Sequence, residues 1–180
     1  MNLYANCYKL HGKHVNFKKN LHFSLILLLT VVFCWRSVIL PAETGRTLYV
    51  TWEGFEVDKC ASIWLIKRFI DKNAEFRFLP QDEIVREGIP FDIPEAEFRR
   101  YHNMSTYESL IKHYGLKDGR LVHIGRIIHD IEVNIWERKA CPETPEVQDS
   151  INQIILTAKD SDEIMARSIT FFDSFYGRLP

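Results

Sequence analysis

The sequence predicts an α+β fold, predominantly helical, in which about five helices pack with a small two-stranded β element. Two observations predict it. Apolar residues recur at three- and four-residue spacing through most of the chain beyond residue 58, and only two short stretches carry strand character. With 180 residues, 46% of them hydrophobic, the chain can build one ordinary core but not two comfortable ones.

In order, the run Thr47 to Trp52 is rich in β-branched and aromatic residues and reads as the first strand. A helix follows from Asp58, a candidate cap, through Asp71, with Ile63, Leu65, Ile66, Phe69 and Ile70 as a wide apolar face. Lys67, Arg68 and Lys72 lie near its C-terminal end, where cations suit the helix dipole. Trp64 sits among aliphatic neighbours and reads as core. Ala74 to Pro80 alternates apolar and charged side chains and reads as a second strand, pairing with the first. A short helix is expected from Gln81 to Glu87, stopped by Gly88, and Pro90 to Pro94 reads as an extended loop. Ser105 and Glu108 form a capping box for a helix to about Tyr114. Asp118 opens another, with Leu121, Ile124, Ile127, Ile128 and Ile131 on its apolar face. Glu146 to Ala158 and Asp160 to about Tyr176 complete the set.

The segment from Leu21 to Trp35 is almost unbroken apolar sequence behind Lys13, Lys18 and Lys19. That layout suits a secretory signal, since a membrane span needs roughly 20 apolar residues and a signal core only about 7 to 15. Residues 1–43 are therefore expected to be a signal segment and linker, and the rest an exported, periplasmic domain. The alternative is an uncleaved anchor over 21–40. Cys60 and Cys141 would remain in the mature chain, where an oxidising compartment permits pairing but two distant cysteines do not demonstrate it.

Formal net charge is −1, so a polyanion-binding surface is not indicated and nucleic acid is not an expected partner. No glycine-rich phosphate loop, Gly-x-Ser-x-Gly elbow, Cys-x-x-Cys pair or His-Glu-x-x-His motif is present. What remains is a scatter of ligand-type residues: Asp58, His102, Glu108, His129, Asp130 and Glu132. Imidazole and carboxylate together suit zinc, iron or manganese. Helix capping is the competing role for Asp58 and Glu108, and a core or partner-bonded ring for His129. Arg68, Arg99, Arg100 and Arg126 offer guanidinium forks that could take an oxyanion, although isolated helix arginines are usually solvated.

The stretch Asp58-Lys59-Cys60-Ala61-Ser62-Ile63-Trp64-Leu65-Ile66-Lys67-Arg68-Phe69-Ile70-Asp71, followed by Ala74-Glu75-Phe76-Arg77-Phe78, resembles the hallmark of the ChrB C-terminal domain, also called the chromate-resistance exported protein family. Pro90 to Pro94, Ser105 to Glu108, Ile127 to Ile131 and the aromatic Phe171 to Tyr176 are similar to later family motifs. The resemblance covers about residues 47 to 179. Lys59 stands where the family usually has arginine, and Ser62, Ile63 and Ser105 replace residues that include cysteine in relatives, so the resemblance does not carry a thiol-based role to this chain. The resemblance implies involvement in chromate resistance or chromate-responsive regulation, often beside an efflux transporter, and no defined reaction.

The resulting expectation for residues 44–180 is a domain that binds a small ligand, with Asp58, Glu108, His129 and Asp130 lining one polar site for a metal or oxyanion. His102 is a further candidate to bind the metal or ligand, and Arg68 is the expected oxyanion contact. One alternative is a metal-dependent enzyme of the cell envelope using the same cluster. A second is a structural or partner-binding domain.

Overall fold

A computed structural model describes residues 46–134 and 138–180. The signal or anchor expected over 1–43 lies outside the described residues. Residues Arg46–Pro180 form a compact unit with their own core. None of the described helices is long and apolar enough to cross a membrane.

β1 (Leu48–Trp52) is the central strand of a parallel sheet ordered β2-β1-β3, with β2 at Glu75–Leu79 and β3 at Ile89–Pro90. Parallel strands need a crossover, and α1 (Val57–Leu65) supplies it, running on into a π-helical turn over Ile66–Ile70 before β2. The two strands read from the sequence are present and paired, from Leu48↔Glu75 to Trp52↔Leu79. The sheet nevertheless has three strands, not two: Ile89 and Pro90 pair with Tyr49 and Val50 on the other edge of β1. A two-residue strand is too short to show alternation. Pro90, which has no N–H to give, is tolerated because β3 is an edge.

The helix expected from Gln81 to Glu87 does not form. Asp82 adopts a left-handed φ of 66°, and the Glu83 N–H bonds back to the Pro80 carbonyl as a turn. The Trp52 indole N–H also takes the Glu83 carbonyl at 2.8 Å, a group that a helix would need for itself.

Four further helices follow: α2 (Thr106–Tyr114), α3 (Gly119–Glu132), α4 (Thr144–Thr157) and α5 (Ser161–Arg178). The capping box at α2 is complete, with Ser105 Oγ accepting from the Glu108 N–H and Glu108 Oε2 accepting from the Ser105 N–H. Gly115 closes the helix at a φ of 62°. Asp118 caps α3, and its carboxyl is held low, at about 2, chiefly by the Tyr176 hydroxyl that donates to it at 2.7 Å.

All nine residues of α1 are buried, so the helix has no solvent face. Trp64 is fully buried, its indole N–H donates to Asp173 at 2.8 Å, and its ring packs against Phe69, Phe172 and Tyr176. Removing a side chain of this size from water contributes roughly 4–6 kcal/mol before conformational entropy is counted. Cys60 and Cys141 are free thiols, both buried.

Gly88 lies against the sheet face that carries Leu48 and Val50. Its φ is +86°, and a Cβ there would stand 2.7 Å from Val50 Cγ2 and 2.8 Å from the Leu48 carbonyl. Gly88→Ala should therefore lower stability by about 2–4 kcal/mol, through the unfavourable φ and the overpacking together. Urea denaturation monitored by circular dichroism measures this, and an unchanged midpoint would refute it.

Candidate functional site

Parallel sheets offer a crevice beyond the carboxyl ends of their strands, where backbone groups leave the ladder. Here that crevice is a cleft of about 660 Å³, bounded by the exit of β1, the start of α1 and the segment after β3. Trp52, Glu56, Lys59, Asp92, Arg99 and Arg100 contribute to its walls.

Lys59 is the buried cation of this cleft. It lies in the first turn of α1, and its Nζ donates to the Trp52 and Gly54 carbonyls at 2.8 and 2.6 Å, 3.6 Å from Asp92 Oδ2. An ammonium with three donors gathers the last carbonyl of β1 and one from the loop that follows it. Arg100 bridges two acids, donating through Nη1 to Glu132 Oε2 at 2.9 Å and through Nη2 to Glu56 Oε2. The Glu132 side chain is 11% exposed and that of Glu56 is 55% exposed, so the two bonds differ greatly in how easily solvent or a ligand can replace them. Arg99 donates to the Pro94 carbonyl at 2.7 Å and lies over the Tyr101 ring.

Behind the cleft lies Asp58, which is fully buried. It does not cap its own helix, whose N-cap is Glu56. Its carboxylate instead meets the N-terminus of α2, taking the Thr106 N–H at 2.7 Å and the Tyr107 N–H at 2.9 Å. Helix starts leave such donors without intrahelical partners, and the helix dipole there favours negative charge. The Thr106 hydroxyl donates to Asp92 at 2.7 Å, so a single residue ties both carboxyls to one helix end. Asp92 itself has a φ of 53°, a conformation aspartate tolerates better than most residues. Its N–H donates to the Phe98 carbonyl at 2.7 Å.

Glu56, Asp58, Asp92 and Glu132 share two nearby cations, Lys59 and Arg100. Burial first, and the Asp92 charge second, push Asp58 upward against the pull of its two N–H bonds. Burial also raises Asp92 and Glu132, despite their proximity to Lys59 and Arg100 respectively.

The site residues chosen from the sequence are distributed as follows. Glu108 and His129 meet, with Oε2 and Nδ1 2.9 Å apart. Asp58 reaches the same helix start as Glu108, through backbone donors. Asp130 is engaged elsewhere, accepting from the Ala140 and Cys141 N–H groups and the Thr144 hydroxyl, which shapes the turn into α4. Burial raises its carboxyl, and these bonds with that from Asn134 outweigh the effect and hold it low. Arg68 grips Asp173 through Nε and Nη2, and His102 is exposed in the turn between Tyr101 and Met104. Among the described residues, no group of three or more His, Cys, Asp or Glu is arranged to hold a metal ion. Lys59, Asp92 and Glu56 were not chosen. The available signal for Lys59 was a lysine early in a helix otherwise flanked by buried residues.

A mostly helical α+β domain that sets buried charges at the carboxyl edge of a small parallel sheet is the class that fold and cleft define. Residues 49–179 match the family model described as the ChrB C-terminal domain, and the chain belongs to that family. Protein ChrB of Cupriavidus metallidurans (strain ATCC 43123 / DSM 2839 / NBRC 102507 / CH34) is 34% identical over 98 residues, which are 52% of this chain and 29% of that relative. The chain thus matches less than a third of that relative's length. No solved structure matches it.

Two outcomes follow from the carboxyl network. Asp58→Ala leaves two buried backbone donors without an acceptor, and should cost about 2–5 kcal/mol in chemical denaturation; a loss below about 1 kcal/mol would contradict the role of Asp58 at α2. Raised carboxyls bind protons in the folded state that the unfolded chain releases, so their contribution is present at low pH and lost as pH rises. Stability should therefore fall between about pH 4, the ordinary aspartate range, and about pH 8, where Asp58 is placed. Asp92→Asn should flatten that decline in a pH series of urea titrations, and an unaltered slope would show that the carboxyls do not interact.

Proposed function

We propose that this chain is an exported ChrB-like domain that serves chromate resistance or chromate-responsive stress by holding a small oxyanion in the cleft at the carboxyl edge of the sheet. The observation that carries this reading is the Arg100 guanidinium on the cleft wall, fixed on one side by the sheltered Glu132 and on the other by the exposed Glu56. An oxyanion can take the place of the Glu56 carboxylate on a fork of donors suited to paired oxygens. Lys59 supplies a second, fixed positive charge close by. Export is supported by the apolar run from Leu21 to Trp35 behind three lysines.

The Glu108–His129 bond supports a second reading. A carboxylate on Nδ1 leaves Nε2 for a divalent metal such as zinc, iron or manganese, with Glu108 orienting the ring from behind. Solvent positions on such a metal would also serve a metal-dependent enzyme of the cell envelope.

Titration calorimetry of the full chain with chromate, and with sulfate as its isosteric companion, tests the first reading. Wild type should bind, and Arg100→Ala should weaken binding about ten- to hundredfold, the worth of a hydrogen bond to a charged group. No binding to wild type, or equal binding to the variant, overturns it. Elemental analysis of the full chain beside His129→Ala tests the second: near-stoichiometric metal that the variant loses supports it, and a metal-free wild type removes it.

A further inference from the structure

We infer that two copies of this chain pair through the open edge of β2, antiparallel and centred on Phe76. The hydrogen-bond parity of the sheet identifies the groups involved. The Glu75 N–H donates to the Thr47 carbonyl, and the Glu53 N–H to the Leu79 carbonyl, so residues 75, 77 and 79 bond toward β1. Strand alternation then turns the N–H and C=O of Phe76 and Phe78 outward. Among the described residues, nothing bonds these outward groups. The opposite edge offers little for pairing, because β3 is two residues long and one of them is proline.

An open edge invites another strand, and the residues beside it decide which. With Phe76 opposite Phe76 of the second copy, the two residues exchange both of their outward hydrogen bonds, and the ladder stops at that pair because Ala74, which faces Phe78, already gives its N–H to Asp71 and its carbonyl to Lys67. Glu75 of each copy then faces Arg77 of the other in the closer, non-hydrogen-bonded positions. Both charges are satisfied twice over by one two-fold axis, which is the signature of an isologous contact. Like charges flanking the edge would have repelled a second copy. At present the two side chains hold only exposed partners, Arg46 and Glu87, which are readily exchanged. Beside Ala74 to Arg77 a groove of about 540 Å³ opens between the sheet and Met165, Ala166 and Ile169 of α5, and the Phe76 and Phe78 rings stay in their own core against Tyr49, Phe91 and Phe55.

Sedimentation of the full chain across a micromolar to millimolar concentration series, with circular dichroism to confirm folding, tests this. Wild type should sediment as a dimer. Arg77→Glu should be monomeric, because the introduced glutamate faces Glu75 of the other copy, and the exchange Glu75→Arg with Arg77→Glu should restore the dimer. A monomeric wild type overturns the inference. So does a dimer that Arg77→Glu leaves intact, which would place the contact on another surface, and so does a double variant that stays monomeric, which would refute the register.

Discussion

The contact on which the rest of the arrangement depends is the buried carboxylate of Asp58 against the N-terminus of α2. Taking a carboxylate out of water costs several kcal/mol unless hydrogen bonds replace those that water gave. Asp58 offsets part of that cost with two backbone donors from one helix start, and burial still leaves its carboxyl raised; the same two bonds fix the position and direction of α2 relative to α1. From there the contacts run outward. Thr106, placed by its N–H on Asp58, turns its hydroxyl to Asp92; Asp92 stands beside Lys59; and Lys59 holds the loop where β1 ends. The walls of the cleft are consequently set from within.

The proposed oxyanion reading calls for reversible occupancy, and the pairing in the cleft is compatible with it. Arg100 and Lys59 already stand beside carboxylates, so under the proposed reading an arriving oxyanion would replace one of those carboxylates and would not meet a bare charge. The partner most easily displaced is the exposed Glu56, whereas Glu132 and Asp92 remain as the fixed counter-charges that keep Arg100 and Lys59 in place. Polar anchors farther away have a different task. Asp173, bonded to Trp64 and Arg68, and Asp118, bonded to Tyr176 and Arg120, fasten the aromatic helix α5 against the core.

Much of the architecture was legible because periodicity and capping are local signals. The box at Ser105 and Glu108, the cap at Asp118, the β1 and β2 runs and the buried Trp64 all stand where the sequence put them. The errors fall where a distant residue overrode a local preference. Trp52 captures the carbonyl of Glu83 and prevents a helix there, and β3 exists only because β1 offers it a ladder. The polar residues were harder. Asp58 stood out as a cap, which it is, but for a helix 48 residues further along the chain. The contacts of Asp130 with the turn into α4 and of Arg68 with Asp173 lie in the tertiary structure alone. Lys59 was not among the site candidates, because nothing in its own helix reveals that the carbonyls of Trp52, at the end of β1, and Gly54 wrap around it.

The absence of a solvent face on α1 also sets what a substitution there must do. In an ordinary amphipathic helix, about half of the positions can drift without penalty, so related sequences blur into a pattern of apolar spacing. From Val57 to Leu65 each side chain touches protein on every side, including an aspartate and a lysine whose charges have assigned partners. A substitution in such a segment always changes a contact with protein, as those at Lys59, Ser62 and Ile63 do, whereas α4 and α5 carry exposed positions beside their buried residues.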